Sequence, residues 1–139
     1  MLIADVMNLE PEYLPAQTSS RAAARRMRDR NVGFLPVCDR DRRVIGMITD
    51  RDIAMRVVAE GLQCDLPACD VMTREVVACH PDDDLLMAER IMAASHKSRL
   101  VVLDANGRLA GVVSLADITA HDVENAVGIL AQVAAPCWP

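Results

Sequence analysis

Two short stretches of the sequence carry hydroxyl and carboxylate groups at matched positions. Gly46–Asp52 reads G-M-I-T-D-R-D, and Gly111–Asp117 reads G-V-V-S-L-A-D. Each contains a glycine, two apolar residues, a hydroxyl residue (Thr49 or Ser114) and an aspartate three positions later. Oxygens of this kind at the start of a helix can cap its first turn or accept hydrogen bonds from a ligand. Two copies of the pattern indicate two half-sites.

The elements that position these residues form a tandem repeat with an offset of 65 residues. The register holds without a gap over most of the chain, which indicates two copies of one supersecondary structure that bury their apolar faces together. The offset also pairs Asp5 with Asp70, Ala23 with Ala88, Arg25 with Arg90, Leu35 with Leu100, and Val37 with Val102.

Each repeat is predicted to fold as β-α-β-β-α, which makes the fold class α+β. The predicted units are residues 1–61 and 70–125, with a linker at 62–69 and a C-terminal tail at 126–139 that extends the last helix. The predicted helices are 1–8, 21–30, 51–60, 70–72, 84–95 and 115–125, and the predicted strands are 10–16, 34–38, 44–48, 76–79, 99–103 and 109–113. The apolar tail is expected to fold back on the domain or to contact a partner.

The composition excludes several classes of partner. The 139 residues are 52% hydrophobic with a net charge of −5 and a single Phe, Trp and Tyr, which argues against nucleic-acid binding through a basic or aromatic face. No apolar run reaches the ~18 residues of a membrane span. Five cysteines without a C-x-x-C pair, and histidines without partners at ligand spacing, predict free thiols and no metal site. We expect a cytoplasmic protein that contacts neither membrane nor nucleic acid.

No arrangement of nucleophile and base is visible in the sequence. Gly-x-Ser-x-Gly, a cysteine with a plausible histidine partner and a phosphate loop ending in Gly-Lys are all missing. The sequence therefore predicts a protein that is not an enzyme.

The repeat closely resembles the CBS domain pair, the regulatory module named after cystathionine β-synthase. The resemblance covers nearly the whole chain and rests on both copies of G-[apolar]-[apolar]-[S/T]-x-x-D, on Asp-Val-Met at the start of each repeat, and on the strands at 34–37 and 99–102. The chain looks like the short stand-alone bacterial members, and the stretch Gly46–Ile53 resembles the small hypoxic-response proteins of that group. The resemblance implies pseudo-twofold symmetry and two clefts between the units, each able to hold an adenosine-containing ligand such as AMP, ADP, ATP, NAD or S-adenosylmethionine.

The resemblance also implies which residues line the first cleft. A carboxylate in the first turn of a helix can accept hydrogen bonds from both ribose hydroxyls, and Asp52 would have that role with Thr49 beside it. The phosphate-binding base would come from the opposite repeat. The other expected contacts of this cleft are Thr18 and Ala23 near the adenine, Met47 and Ile48 as a wall, and Lys97, Ser98 and Arg99 opposite Asp52.

The second cleft is expected to be a poorer host for phosphates. Its residues would be Ala88, Val112, Val113, Ser114 and Asp117. Asp83 stands where the first repeat has Thr18, and Gly33 and Phe34 stand where the second has Ser98 and Arg99. Because a buried phosphate needs paired donors, we expect a charged nucleotide in the first cleft and a neutral adenosine moiety or nothing in the second.

Three roles remain compatible with the sequence. The first is a sensor that signals to a separate target protein, the second is a structural homodimer or interaction module without a nucleotide, and the third reduces the four motif residues to helix caps. A homodimer is expected because two-fold assembly is the commonest symmetric solution. The helices that follow each aspartate would supply its apolar faces, through Ile53, Val57, Val58, Ile118 and Val123.

Overall fold

The computed structural model describes residues 1–121 and 123–134, and these form two compact units. The central unit is Glu12–Val76, and the split unit joins Met1–Pro11 to the chain from Val77 onward. The sequence repeats predicted at 1–61 and 70–125 do not coincide with these compact units. Residues 1–11, which open the first repeat, belong to the split unit, and residues 70–76, which open the second repeat, belong to the central unit. The repeat boundaries themselves stay a prediction.

The central unit contains a three-stranded sheet in the order β1-β2-β3, with β1 parallel and β3 antiparallel to β2. The Ser19 hydroxyl caps α1 by accepting a hydrogen bond from the Ala22 N–H at 3.1 Å, and Asn31 ends the helix with a φ of 53°. The elements are β1 (Leu14–Pro15), α1 (Ser20–Arg30), β2 (Phe34–Cys38), β3 (Val44–Thr49), α2 (Asp50–Ile53) and α3 (Ala68–Val71).

The helix predicted at 51–60 differs from a regular α-helix. After α2 the chain widens into a π-helical turn at Ala54–Val58, in which the Ala59 N–H donates to the Ala54 carbonyl at 2.8 Å. Gly61 follows with a φ of 66° and ends the helical stretch. Val57 on the π turn is fully buried, so this irregular turn still contributes to the core.

Apolar side chains of the central unit form one hydrophobic cluster. Burial of such side chains supplies most of the favourable free energy of folding. The buried members are Leu14, Ala23, Met27, Leu35, Val37, Ile48, Val57, Ala68, Val71 and Met72.

The split unit repeats this plan with the sheet order β4-β5-β6. The Asp84 carboxylate caps α4 by accepting from the Leu86 N–H, and Gly107 in the β5–β6 turn has a φ of 77°. The elements are β4 (Ala78–Cys79), α4 (Leu85–Ser95), β5 (Arg99–Leu103), β6 (Leu109–Ser114), α5 (Leu115–Thr119) and α6 (Val123–Val133). Its buried cluster includes Ile3, Cys79, Leu85, Ala88, Met92, Leu100, Val102, Val113, Leu115 and Ile118.

Three predictions for the split unit were wrong in extent. The predicted helix 1–8 is only a 3₁₀ turn at Ile3–Asp5, and the strand predicted at 76–79 is confined to β4. The helix predicted at 115–125 ends at Thr119, and α6 begins at Val123. The predicted extension continues through α6, and residues 135–139 of the predicted tail lie outside the described residues.

The segment that opens each repeat lies against a glycine of the motif. In the central unit, Met47 and Thr73 exchange backbone hydrogen bonds of 2.9 and 2.8 Å across Gly46. In the split unit, Asn8 and Val112 exchange bonds of 2.8 and 3.2 Å beside Gly111. Each three-stranded sheet is therefore extended by one further backbone pairing, to the segment that opens a repeat. In the part of the chain that the structure describes, no helix is long and apolar enough to cross a membrane.

Candidate functional site

Both motif copies form a reciprocal capping box at the junction of a strand and a helix. The Thr49 hydroxyl accepts from the Asp52 N–H at 3.0 Å, and the Asp52 carboxylate accepts from the Thr49 N–H at 3.0 Å. Ser114 and Asp117 make the same two bonds at 3.1 and 2.8 Å. The prediction that these residues cap helices is confirmed. Each cap uses one side of its carboxylate, which has about four lone-pair positions.

The Asp52 carboxylate has two further partners within the central unit. Its Oδ1 accepts a hydrogen bond from the Thr73 hydroxyl at 3.0 Å, and the Arg56 Nε lies 3.8 Å from the same oxygen. Only 9% of the Asp52 side chain is exposed. The Arg56 Nη1 also donates to the carbonyls of Val71 and Met72, at 3.1 and 2.8 Å. Asp52 is therefore the centre of a small polar network.

The Asp117 carboxylate has a more open environment in the split unit. Among the described residues, its one hydrogen bond as an acceptor comes from the Ser114 N–H, and the side chain is partly exposed. The positions that match Thr73 and Arg56 are Asn8 and His121. The Asn8 Oδ1 accepts from the Glu10 N–H at 3.1 Å instead. Asp117 thus keeps acceptor capacity that Asp52 has already committed.

Four of the predicted wall residues belong to the hydrophobic cores. Successive side chains of a strand point to opposite faces, and the burial of β3 and β6 follows this alternation. Met47 and Val112 share a face with the motif hydroxyls and are partly exposed. The remaining four, Ala23, Ile48, Ala88 and Val113, are each 0% exposed and lie in the core clusters of their own units. These four side chains contribute to the cores of their units, and their contact with a ligand stays a prediction.

Thr18 lies away from Thr49 and Asp52 within the central unit. The register places Phe34, the first residue of β2, beside Thr49, and Cys38, the last, beside Pro15. Thr18 follows β1 and donates its N–H to the Pro15 carbonyl at 3.1 Å. The unit therefore has Thr18 at one end of the sheet and Asp52 at the other, so it does not bring them together, and their contact with one ligand stays a prediction.

The basic residues predicted for the first cleft are exposed, and Arg99 lies beside Ser114 in the split unit. Arg99 is the register partner of Ser114 at the end of the β5–β6 ladder, and the Ser98 carbonyl accepts from the Leu115 N–H at 2.7 Å. Lys97 precedes them on the same exposed turn. Arg99 is therefore the cross-strand neighbour of Ser114 in its own unit, whereas its contact with a ligand of Asp52 stays a prediction.

The sequence interpretation missed Arg56 and Thr73. Arg56 lies four residues after Asp52, which is ion-pair spacing on a helix, and that spacing was the available signal. Thr73 follows the Asp-Val-Met segment and had no signal of its own. Its role depends on pairing with β3, which is 26 residues earlier in the chain.

Two thiols are buried and protonated at neutral pH. Burial raises the pKa of Cys38 to about 11, although the charge of Arg42 opposes the shift. Burial and the nearby Asp83 charge raise the pKa of Cys79 to about 12. The thiolate is the nucleophilic form of cysteine, so both side chains are weak nucleophiles at neutral pH.

Comparisons with known proteins were made against this geometry. A family model described as CBS domain matches the chain twice, over residues 3–59 and 68–124. Hypoxic response protein 1 of Mycobacterium tuberculosis is 33% identical over 136 residues, which cover 97% of this chain and 93% of the relative.

Two solved structures extend the comparison. The crystal structure of Hypoxic Response Protein I with two coordinated zinc ions gives a TM-score of 0.79 at 29% identity, covering 88% of this chain and 99% of that one. The CBS domain pair of protein MJ0100, in complex with 5′-methylthioadenosine and S-adenosyl-L-methionine, gives 0.75 at 27% identity, covering 86% and 94%.

The zinc ions of the first structure find no matching ligand set here. Within residues 1–121 and 123–134, no group of three or more His, Cys, Asp or Glu side chains is placed to hold a metal ion. His80 and His96 instead direct Nδ1 to the backbone carbonyls of Leu103 and Gln132, at 2.9 and 2.7 Å. In the part of the chain that the structure describes, these two histidines are not joined by further ligands into a group of three or more.

Proposed function

The chain belongs to the CBS domain family, and from that premise we propose that it is a regulatory sensor that binds an adenosine-containing ligand at its strand-to-helix junctions. The observation that carries the proposal is the doubled capping box, in which Asp117 keeps acceptor positions beside an exposed arginine. The related MJ0100 pair, in complex with 5′-methylthioadenosine and S-adenosyl-L-methionine, supports the ligand class. The role is binding, not catalysis, and the output is contact with a separate target protein in the cytoplasm.

The contacts favour the Asp117 junction as the stronger nucleotide site. A ribose offers two adjacent hydroxyls, and a carboxylate with unused lone pairs can accept both. Arg99 beside Ser114 can pair with a phosphate, and Val112 gives an apolar surface on the same face. Asp52 has the Thr73 hydroxyl and Arg56 on the oxygen that a ribose would need. This order is the reverse of the one that the sequence alone suggested.

Isothermal titration calorimetry with AMP, ATP, NAD, 5′-methylthioadenosine and S-adenosylmethionine tests the proposal. We expect at least one to bind, and Asp117→Asn to weaken binding about 10-fold or more, because a hydrogen bond to a charged group contributes about 1.5–3 kcal/mol. Asp52→Asn should have a smaller effect. Asp29→Asn, which changes an exposed carboxylate paired with Arg28, is the matched control. Absence of heat with every ligand, in folded protein free of bound nucleotide, would refute the sensor.

A homodimer is the second part of the proposal and has its own observation. Met55 and Val58 lie on the helical stretch after Asp52, Leu62 directly follows it, and the three side chains are 55%, 66% and 51% exposed. Apolar side chains clustered at this level of exposure indicate an interaction surface, and a second copy of the chain is the commonest occupant. Val57 and Ile118, which were also expected to contribute, are fully buried, and the Val123 side chain lies outside the described part. If no nucleotide binds, this surface supports the alternative of an interaction module.

A further inference from the structure

The Asp52 carboxylate holds the segment that connects the central unit to Val77. Thr73 belongs to that segment, and its hydroxyl donates to the Asp52 Oδ1 at 3.0 Å. The backbone of Thr73 exchanges two hydrogen bonds with Met47 on β3. One carboxylate thus links the helix cap of the motif to the strand-like segment beside it.

Arg56 strengthens the same attachment from the helix side. Its Nη1 donates to the carbonyls of Val71 and Met72, and its Nε lies 3.8 Å from the Asp52 Oδ1. The guanidinium therefore bridges the carboxylate and the two residues that precede Thr73. Two groups from two parts of the chain, the Thr73 hydroxyl and the Arg56 guanidinium, thus approach one carboxylate oxygen.

A ribose at this junction would compete with these contacts. A cis-diol donates to unused lone-pair positions of a carboxylate, but the Asp52 Oδ2 already carries the Thr49 N–H, its Oδ1 carries the Thr73 hydroxyl, and the side chain is only 9% exposed. We propose that Asp52, Thr73 and Arg56 form a latch that a ligand must open, so that ligand binding at Asp52 releases the segment around Thr73. The inference rests on the proposed function and assigns the two junctions different tasks.

The repeat provides an internal comparison for the latch. In the split unit the residues that match Thr73 and Arg56 are Asn8 and His121, and the Asn8 Oδ1 accepts from the Glu10 N–H. Among the described residues, Asp117 accepts no side-chain hydrogen bond. The Asp117 junction therefore binds without displacing a protein group, whereas the Asp52 junction couples binding to release of a segment.

A closed latch lowers the apparent affinity of the site by the fraction of molecules in which it is open. Removing the Thr73 hydroxyl while keeping its shape should raise the affinity. We expect Thr73→Val to bind adenosine about 10-fold more tightly, in line with the typical strength of one charge-assisted hydrogen bond. Thr119→Val is the matched control, because the Thr119 hydroxyl donates to the Leu115 backbone carbonyl and to no carboxylate.

The test uses adenosine, which has the ribose but no phosphate, in an Asp117→Asn background that isolates the Asp52 junction. Calorimetry should show tighter binding in Thr73→Val than in Thr119→Val, and weaker binding of 2′-deoxyadenosine in both. In protein that still has Thr73, hydrogen exchange at the Thr73 amide should accelerate when adenosine binds, because binding opens the latch. Arg56→Met is a second variant with the same expected direction, should Thr73→Val fail to fold, and Thr73→Ser should restore the starting affinity.

The outcomes separate the latch from the proposed function. Equal adenosine affinity with and without the Thr73 hydroxyl, or slower exchange at Thr73 in the bound state, would overturn the latch. If adenosine still binds the unmodified protein in that case, the sensor stands. If neither the unmodified protein nor any variant binds a nucleoside, both proposals fail.

Discussion

The motif glycines, Gly46 and Gly111, lie under chain segments that leave no room for a methyl group. A Cβ at Gly111 would stand 2.6 Å from the Asn8 carbonyl oxygen. A Cβ at Gly46 would stand 2.9 Å from the Thr73 carbonyl oxygen and would also clash with the Met72 sulfur. Two of these obstacles are backbone atoms, which cannot rotate away. Alanine at either position must therefore lift the opening segment from the sheet.

The expected cost follows from three contributions. Forcing one methyl group into a well-packed site costs about 1–3 kcal/mol. Lifting the segment strains or breaks its two backbone hydrogen bonds, at about 1 kcal/mol each. Alanine recovers about 0.4–1 kcal/mol by restricting the unfolded chain. We expect Gly46→Ala and Gly111→Ala each to lower the free energy of unfolding by about 2–4.5 kcal/mol, with the larger loss at Gly111, where the contact with a backbone atom is closer.

Urea unfolding followed by circular dichroism measures this loss, and thermal melting should show a decrease in Tm of about 4 °C per kcal/mol. Gly128→Ala is the matched control, because a Cβ on Gly128 of α6 meets no atom within 4 Å. The control should be more stable than the unmodified protein by up to about 1 kcal/mol. If Gly111→Ala stays within about 0.5 kcal/mol of the unmodified protein, the typical range of neutral substitutions, the close approach of the segment is refuted.

Ile3→Ala should lower the free energy of unfolding by about 2–5 kcal/mol, because Ile3 is fully buried, and Leu9→Ala, at a side chain 67% exposed, should stay within about 0.5 kcal/mol in the same urea titration. Burial raises the pKa of Cys38 to about 11 and that of Cys79 to about 12. Both thiols therefore leave stability unchanged below the unfolded pKa of about 8.5, and above it stability falls by about 1.4 kcal/mol per pH unit for each until the folded thiol ionises. Urea titrations from pH 8 upward measure this slope. Cys38→Ala and Cys79→Ala should each have a shallower slope than the unmodified protein, and a slope as steep as that of the unmodified protein would contradict the reasoning. Val58→Glu should convert the proposed homodimer to a monomer by light scattering without unfolding it, because a carboxylate would replace an apolar side chain that is 66% exposed, and a dimeric mass in this variant would exclude this surface as the interface.

Much of the fold could be predicted because local signals and tertiary structure agree. Ser19 and Asp84 cap α1 and α4, two of the three 11-residue helices, and both hairpins have the predicted strands within a residue or two. The prediction failed where backbone hydrogen bonding depends on distant contacts, as in the π turn at Ala54–Val58 and the break after Thr119. Neither irregularity has a marker in the sequence such as an internal proline or glycine.

The candidate site was predictable in its centre and less so around it. Thr49–Asp52 and Ser114–Asp117 follow from the spacing of the motif, and the structure has both pairs as capping boxes. The adenine walls were assigned without the alternation of strand faces, which would have placed Ile48 and Val113 in the core. The partners of Asp52 could not be found from local patterns because Thr73 reaches it only after the chain has formed the pairing with β3.

The division of the chain into a central and a split unit also implies an order of folding. Glu12–Val76 contains every strand of its own sheet, so this unit can form as soon as its last residue has been synthesised. Met1–Pro11 is synthesised first but pairs with β6, and Asn8 waits for Val112, more than a hundred residues later. Loop closure is costly before such long-range contacts form. We therefore expect the central unit to fold first, during synthesis, and the split unit to fold afterwards, when the folded central unit has shortened the effective loop between its two parts.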